Sequence, residues 1–204
     1  MGRVALVDYG AGNLASVRKA LAKCGADVFA PATPLDVRGA QAIVVPGVGH
    51  FAATASLGEA WREEILARVA DGAALLGICL GLQWLFEGSE EDPGLPGLGL
   101  LPGRCSLLRP ENHGLKVPHV GWNDVEVTRP CALLAGVAPG AQAYFTHSYA
   151  APVTGDGVAV TTHGARFASA VERGRVFGVQ FHPEKSGEVG LTILGNFIRA
   201  ALQR

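Results

Sequence analysis

The apolar positions of the first eighty residues alternate between two periods. Val4–Val7 is a short continuous apolar run, and Arg3–Asp8 reads as a buried strand, whereas Leu14, Val17 and Leu21 recur at helical intervals and predict a helix over Leu14–Lys23, with Gly25 as its stop. The alternation continues through a strand at Ala26–Ala30, a turn at Pro31 and Pro34, a strand at Gln41–Val45 and helical segments between Phe51 and Ala70. A strand at Ala73–Ile78 then runs into a helix at Leu80–Phe86. Strands that alternate with helices pack as a parallel sheet with helices on both faces. Pro93, Pro96, Pro102 and several glycines predict a loop from Glu87 to Gly103. From Cys105 to Phe181 the recurrent signal is short β runs, among them Val125–Thr128, Ala143–Tyr149, Val158–His163 and Arg175–Phe181, before a closing helix at Glu188–Leu202. There is no repeat and no long linker. The pattern predicts one α/β domain over residues 1–204, with a mostly parallel central sheet and an antiparallel portion in its second half.

Composition narrows the chemistry. Glycine supplies 28 of 204 residues, about twice its usual share, and hydrophobic content of 49% excludes a disordered chain. The 17 basic and 18 acidic residues are spread evenly for a net charge of −1, so neither nucleic acid nor an anionic membrane is an expected partner. No apolar run approaches the length a bilayer needs, and Met1–Asp8 lacks the layout of a signal peptide, which makes the cytoplasm the expected location. Cys24, Cys79, Cys105 and Cys131 form no Cys-x-x-Cys pair and no zinc spacing. Cys24 and Cys105 read as small buried hydrophobes.

Gly10-Ala-Gly12-Asn-Leu-Ala15 and Gly47-Val-Gly49-His-Phe-Ala52 both satisfy a loose dinucleotide-binding pattern, and two hits in so glycine-rich a chain show how weak that pattern is. No Gly-Lys dipeptide is present, which excludes a phosphate-binding P-loop. No metal and no cofactor is expected. Gly77-Ile-Cys79-Leu-Gly81 is more specific. A cysteine with glycine two residues away on either side, where an apolar strand meets a helix, has the form of a nucleophile elbow. At a helix N-terminus it meets the positive end of the dipole, which favours the attacking thiolate. Downstream, His182-Pro-Glu184 follows a strand; in an extended segment its imidazole and carboxylate share one face, as the partners of a thiol triad must.

The strings Gly77-Ile-Cys79-Leu-Gly81-Leu-Gln83 and His182-Pro-Glu184 resemble the signature of the class I (triad) glutamine amidotransferases. Asp8-Tyr-Gly-Ala-Gly-Asn13, Pro46-Gly-Val-Gly-His-Phe51 and Pro118-His-Val-Gly-Trp-Asn123 narrow the resemblance to the glutaminase subunits of imidazole glycerol phosphate synthases. It runs from Val4 to Phe197 and implies a flavodoxin-like three-layer sandwich that hydrolyses L-glutamine through a cysteinyl thioester. Cys79 would be the nucleophile, His182 the acid and base, and Glu184 the group that orients the imidazole. The oxyanion would be met by backbone N–H groups of Leu80 and of Val48 or Gly49, in a Pro46–Gly49 strand whose glycine-flanked peptide flips cheaply and acts as a switch. Glutamine would be held by Gly47, Gln83, Ser148 and Tyr149. His119 and His147 lack ligand spacing and read as structural.

The chain carries no second catalytic constellation, which suggests half of an enzyme. The resemblance names the other half as a (β/α)8-barrel cyclase subunit that receives the ammonia and makes imidazole glycerol phosphate and the purine-pathway intermediate AICAR in histidine biosynthesis. Asn13, Trp122, Asn123, Tyr144 and Lys185 are the candidates for the face that meets it. The glutaminase of a different synthase, a stand-alone cysteine hydrolase or isomerase on a similar fold, and a non-enzymatic binding module remain the alternatives.

Overall fold

The computed structural model describes residues 3–110 and 114–202; Met1 and Gly2 of the N-terminal run lie outside it. Five strands run parallel: β1 (Arg3–Leu6), β2 (Asp27–Phe29), β3 (Ala42–Val45), β4 (Ala74–Ile78) and β14 (Val176–Val179). Three more join antiparallel: β9 (Glu126–Val127), β12 (Gly157–His163) and β13 (Ala165–Arg173). Together they form one eight-stranded sheet in the order β2-β1-β3-β4-β14-β13-β12-β9. Alternate residues of the parallel strands enter different cores. Val4, Leu6, Ala42 and Val44 pack on one face of the sheet, and Ala5, Val7, Ile43 and Val45 on the other. That is why these strands are continuously apolar.

Helix α1 (Leu14–Lys23) and the C-terminal α4 (Gly187–Leu202) pack together against the first face. The second face carries α2 (Glu59–Ala70), a 3-10 turn at Phe51–Ser56 and the six-residue α3 (Leu80–Leu85). Every residue of α3 is buried, including Trp84. With Gln83 its one polar side chain, this helix belongs inside the protein, and burying its large apolar side chains contributes about 1.5–3 kcal/mol each. The turn that precedes α3 is therefore held in place from below.

Two expectations are corrected and one strand is added. The segment from Glu87 to Gly103 is not a plain loop, because β5 (Gly88–Ser89) and β6 (Asp92–Pro96) pair within it. They join β7 (Arg104–Leu107) and β11 (Tyr149–Ala150) in a small sheet ordered β11-β7-β5-β6. β6 is the edge strand, where the missing N–H groups of Pro93 and Pro96 break no ladder. Second, Pro183–Lys185 is a 3-10 turn rather than extended chain, with Pro183 at its first position where its fixed φ suits a helix start. Third, β13 escaped the β pattern because Ala165–Arg173 is alanine-rich and carries weak strand propensity. A separate ribbon pairs β8 (His119–Asp124) with β10 (Gln142–His147) antiparallel. Among the described residues no helix is long and apolar enough to cross a membrane. All four cysteines are free, Cys105 buried and Cys24 only half-buried.

Candidate active site

Cys79 occupies the single residue between β4 and α3, at φ 54° and ψ −106°. It is the one non-glycine residue with positive φ among the described residues. Such a conformation costs about 1–3 kcal/mol and persists only where the surroundings impose it. Here they do: the Cys79 N–H donates to Val179 O at 2.7 Å, and its carbonyl accepts from Gln83 N at 3.1 Å. A Cβ on Gly77 would lie 2.6 Å from Gly81 O, and one on Gly81 would collide with Val45 O. Both glycines are required by the close strand-to-helix approach.

β14 lies beside β4, with Val179 opposite Ile78, and so delivers the chain after it to the elbow. His182 is clamped through its backbone, its N–H donating to Tyr144 O at 2.8 Å and its carbonyl accepting from Ser186 Oγ at 2.6 Å. Its Nδ1 donates to Glu184 Oε1 at 2.9 Å, and both side chains are 2% exposed. That bond leaves Nε2 free, and it has no hydrogen-bond partner among the described residues. Burial disfavours the imidazolium, but attraction to Cys79 and Glu184 outweighs it and raises the His182 pKa to about 9. Gln180 Nε2 approaches Cys79 Sγ at 3.7 Å.

A cleft of about 260 Å³ opens over the sulfur, lined among others by Val48, Gly49, Gln83, Ser148 and Tyr149. Gln83 is buried rather than a free surface amide: its Nε2 donates to Tyr149 O at 2.7 Å and tethers α3 to the cleft wall. Glu91 also lines the cleft, with Oε2 accepting from Phe51 N at 2.7 Å. Sequence reasoning missed it; the acidic Glu87-Gly-Ser-Glu-Glu-Asp92 run just after the elbow helix was the available signal. A carboxylate here is complementary to the α-ammonium group of an amino acid.

The N–H groups of Leu80 and Val48 do not point to a common position. The Leu80 N–H faces the Gly47 carbonyl at 3.4 Å. Because N–H and C=O of a trans peptide point in opposite directions, the Val48 N–H of that same peptide is turned away from Leu80. One donor is capped and the other averted.

The ribbon separates the remaining candidates by face. Trp122 and Tyr144 sit opposite one another and make an edge contact with centroids 6.2 Å apart, and Lys185 Nζ lies 5.6 Å above the Tyr144 ring. Trp122 and Val120 are exposed by 56% and 57%. Asn123 does not join them. It points to the other side of the strand, where its Nδ2 donates to Thr162 O at 3.0 Å. Asn13 caps α1, its Oδ1 accepting from Ser16 N at 3.3 Å.

On that inner side, His119 and His147 form a directed chain. His147 Nδ1 meets the Tyr149 carbonyl at 2.9 Å and must be the donor, so its Nε2 accepts from His119 Nδ1 at 3.2 Å. His119 Nε2 in turn accepts from Asn123 Nδ2 at 3.2 Å. Both imidazoles stay neutral: burial and the neighbouring His163 lower the pKa of His119 to about 4, and burial, then His119, lowers that of His147 to about 3. The chain ends on the carbonyl that also receives Gln83, so it braces the cleft wall.

The family model for glutamine amidotransferase class-I matches residues 5–201. The chain is 48% identical over 202 residues to the imidazole glycerol phosphate synthase subunit HisH of Thermococcus kodakarensis, covering 96% of this chain and 99% of that protein. It is 47% identical over 201 residues to the protein of the same name from Deinococcus radiodurans, covering 96% and 93%. A crystal structure of a glutamine amidotransferase superposes with a TM-score of 0.75 at 22% identity, over 97% of this chain and 98% of that one. The structure of PurLQS from Thermotoga maritima gives 0.72 at 20% identity over 98% and 99%. These two likenesses bear on the fold.

Proposed function

The chain belongs to the class-I glutamine amidotransferase family, and we propose that it is the glutaminase subunit of an imidazole glycerol phosphate synthase, supplying ammonia in histidine biosynthesis. The observation that carries this reading is a strained elbow cysteine whose interaction with His182 holds the imidazole charged, while a buried carboxylate holds the ring's other nitrogen. The relatives at nearly half identity carry that synthase's name over almost their full length.

Cys79 Sγ, as the thiolate, attacks the side-chain carbonyl carbon of L-glutamine and forms the C–S bond. The charge that develops on the carbonyl oxygen is met by the N–H groups of Leu80 and of Val48 or Gly49. As the tetrahedral intermediate collapses, the C–N bond breaks and His182 Nε2 gives its proton to the departing nitrogen, which leaves as ammonia. Now neutral, His182 takes a proton from a water that adds to the thioester; glutamate departs and the thiolate returns with the imidazolium. Glu184 holds the ring on Nδ1 through both halves. Gln83 and the Gly47 backbone shape the cleft, with Ser148 and Tyr149 at the amino-acid end of the substrate and Glu91 toward its ammonium.

Removing one oxyanion donor from an amide hydrolase costs about 3 kcal/mol of transition-state stabilisation. With Leu80 capped and Val48 averted, the state described here is a resting one, and turning the Gly47–Val48 peptide over activates it. The partner is a cyclase subunit with a (β/α)8-barrel fold, met by Trp122, Tyr144 and Lys185, with Asn13 near the loop that backs the oxyanion strand. Asn123 supports the ribbon from behind. Glutamate release from glutamine, measured for the chain alone and with the cyclase and its ribonucleotide ligand, tests the reading: a large stimulation supports it, and no rate above that of the isolated chain refutes it.

A further inference from the structure

Tyr9 follows β1 in the Asp8–Asn13 loop, and the residue is 9% exposed. Its hydroxyl oxygen is buried and has no hydrogen-bond partner among the described residues. A buried hydroxyl left unpaired destabilises the state that contains it, so its persistence calls for another state in which it is paired. Burial, then the charge of Cys79, pushes the phenol pKa well above its ordinary value, so the group remains a hydrogen-bond donor.

The hydroxyl is packed against Gly47. A Cβ on Gly47 would collide with Tyr9 Oη and lie 2.8 Å from Leu80 Cβ. On the same loop, the absent Cβ of Gly12 lies 3.4 Å from Gly47 Cα, so the Tyr9–Gly12 segment backs the whole Gly47 main chain. Of the groups in this contact, the Gly47–Val48 peptide is the one free to reorient. Gly47 has no side chain to obstruct it, and Gly49, at φ 116°, has open space where a Cβ would be.

We propose that Tyr9 is a positioning residue for glutamine hydrolysis: when the Gly47–Val48 peptide turns over, its carbonyl leaves the Leu80 amide and accepts a hydrogen bond from the Tyr9 hydroxyl, which holds the Val48 N–H toward the oxyanion. The inference rests on reading that peptide as the oxyanion switch. It makes the unpaired phenol of the resting state a receptor waiting for the active one. Tyr9 touches neither substrate nor the reacting atoms and acts through the peptide alone.

Tyr9→Phe keeps the ring and removes only the hydroxyl. In the cyclase complex with its ligand bound, this variant should lower kcat for glutamate release about tenfold, the worth of one hydrogen bond, and leave KM within about twofold. The melting temperature of the isolated variant should equal or exceed that of the parent, because the unpaired hydroxyl is gone. A merely structural tyrosine would give the opposite pair of results, a lower melting temperature with unchanged kcat, and that pair overturns the proposal. Val48→Pro, which cannot donate from its backbone, separates the premise from the inference once its binding to the cyclase has been verified. If Val48→Pro retains kcat, the switch reading fails; if it loses kcat while Tyr9→Phe retains it, the role of Tyr9 alone fails.

Discussion

The Gly47 carbonyl oxygen stands 3.4 Å from the Leu80 amide nitrogen, so the protein's own backbone faces the N–H that we propose as an oxyanion donor. This contact requires glycine at position 47. Gly47→Ala places a methyl group against Tyr9 Oη and 2.8 Å from Leu80 Cβ, where the backbone leaves little room to yield. Overpacking of this kind costs about 1–3 kcal/mol, so the urea midpoint of the isolated chain should fall accordingly. Glutamate release by the activated complex should drop with it. Unchanged values for both would show that the oxyanion strand has slack that the geometry denies.

The strain at Cys79 gives a comparison that does not depend on catalysis. At φ 54° an alanine suffers the same backbone penalty as the cysteine, whereas glycine does not. Cys79→Gly should therefore be at least as stable as Cys79→Ala, by up to about 1–2 kcal/mol, against the usual order in which glycine destabilises. Chemical denaturation of the two variants decides it. Both should lack glutamine-dependent product formation in the complex yet retain synthesis from added ammonium; losing the latter would contradict the division of labour between the subunits.

The His182 pair sets an alkaline limit. Its pKa is raised from 6.5 to about 9, so the imidazolium is present below that pH and is lost as the pH rises through it. The kcat/KM for glutamine in the activated complex should hold across neutral pH and fall above about 9. In Glu184→Gln the limit should move down toward the ordinary histidine range, because a neutral amide no longer supports the charge. The same shift stabilises the fold fully below about pH 6.5, and that contribution disappears by about pH 9. A variant limb that stays in place would assign the limit to another group.

His119 and His147 act in the opposite direction. Their pKa values are lowered to about 4 and about 3, so between there and 6.5 the unfolded chain binds protons that the folded chain refuses. Stability is full above about pH 6.5 and falls on acidification, by at most about 2.7 kcal/mol per pH unit for two such protons. His119→Phe, which keeps an aromatic ring among Phe145 and Phe167, should flatten that slope by about one proton in denaturation series run at successive pH values. An unaltered slope would place the acid sensitivity elsewhere.

Much of this arrangement was readable in advance where the physics is local. The continuous apolar runs at Val4–Val7, Ala42–Val45 and Ala73–Leu76 read as strands covered on both faces, and the glycines around Cys79 announced a tight turn. The orientation of the Gly47–Val48 peptide was not readable, because a glycine-flanked peptide permits both orientations at little cost. Glu91 and Tyr9 reach the site through β5, β6 and a loop whose residues carry no periodic signal. The side on which Asn123 lies was not readable, because its strand begins at His119, six residues before the first β signal there, at Val125.

The β8–β10 ribbon has a consequence for how this chain can change over generations. Its alternating residues serve two tasks at once, with Trp122 and Tyr144 on the outside and His119 and His147 bracing the cleft wall on the inside. Slipping β8 by one residue against β10 exchanges the β8 members of the two sets, burying the tryptophan or turning the His119 imidazole outward. The outer surface and the cleft wall are thus inherited as one unit: this segment can diverge by substitution, position by position, and hardly at all by a change of length.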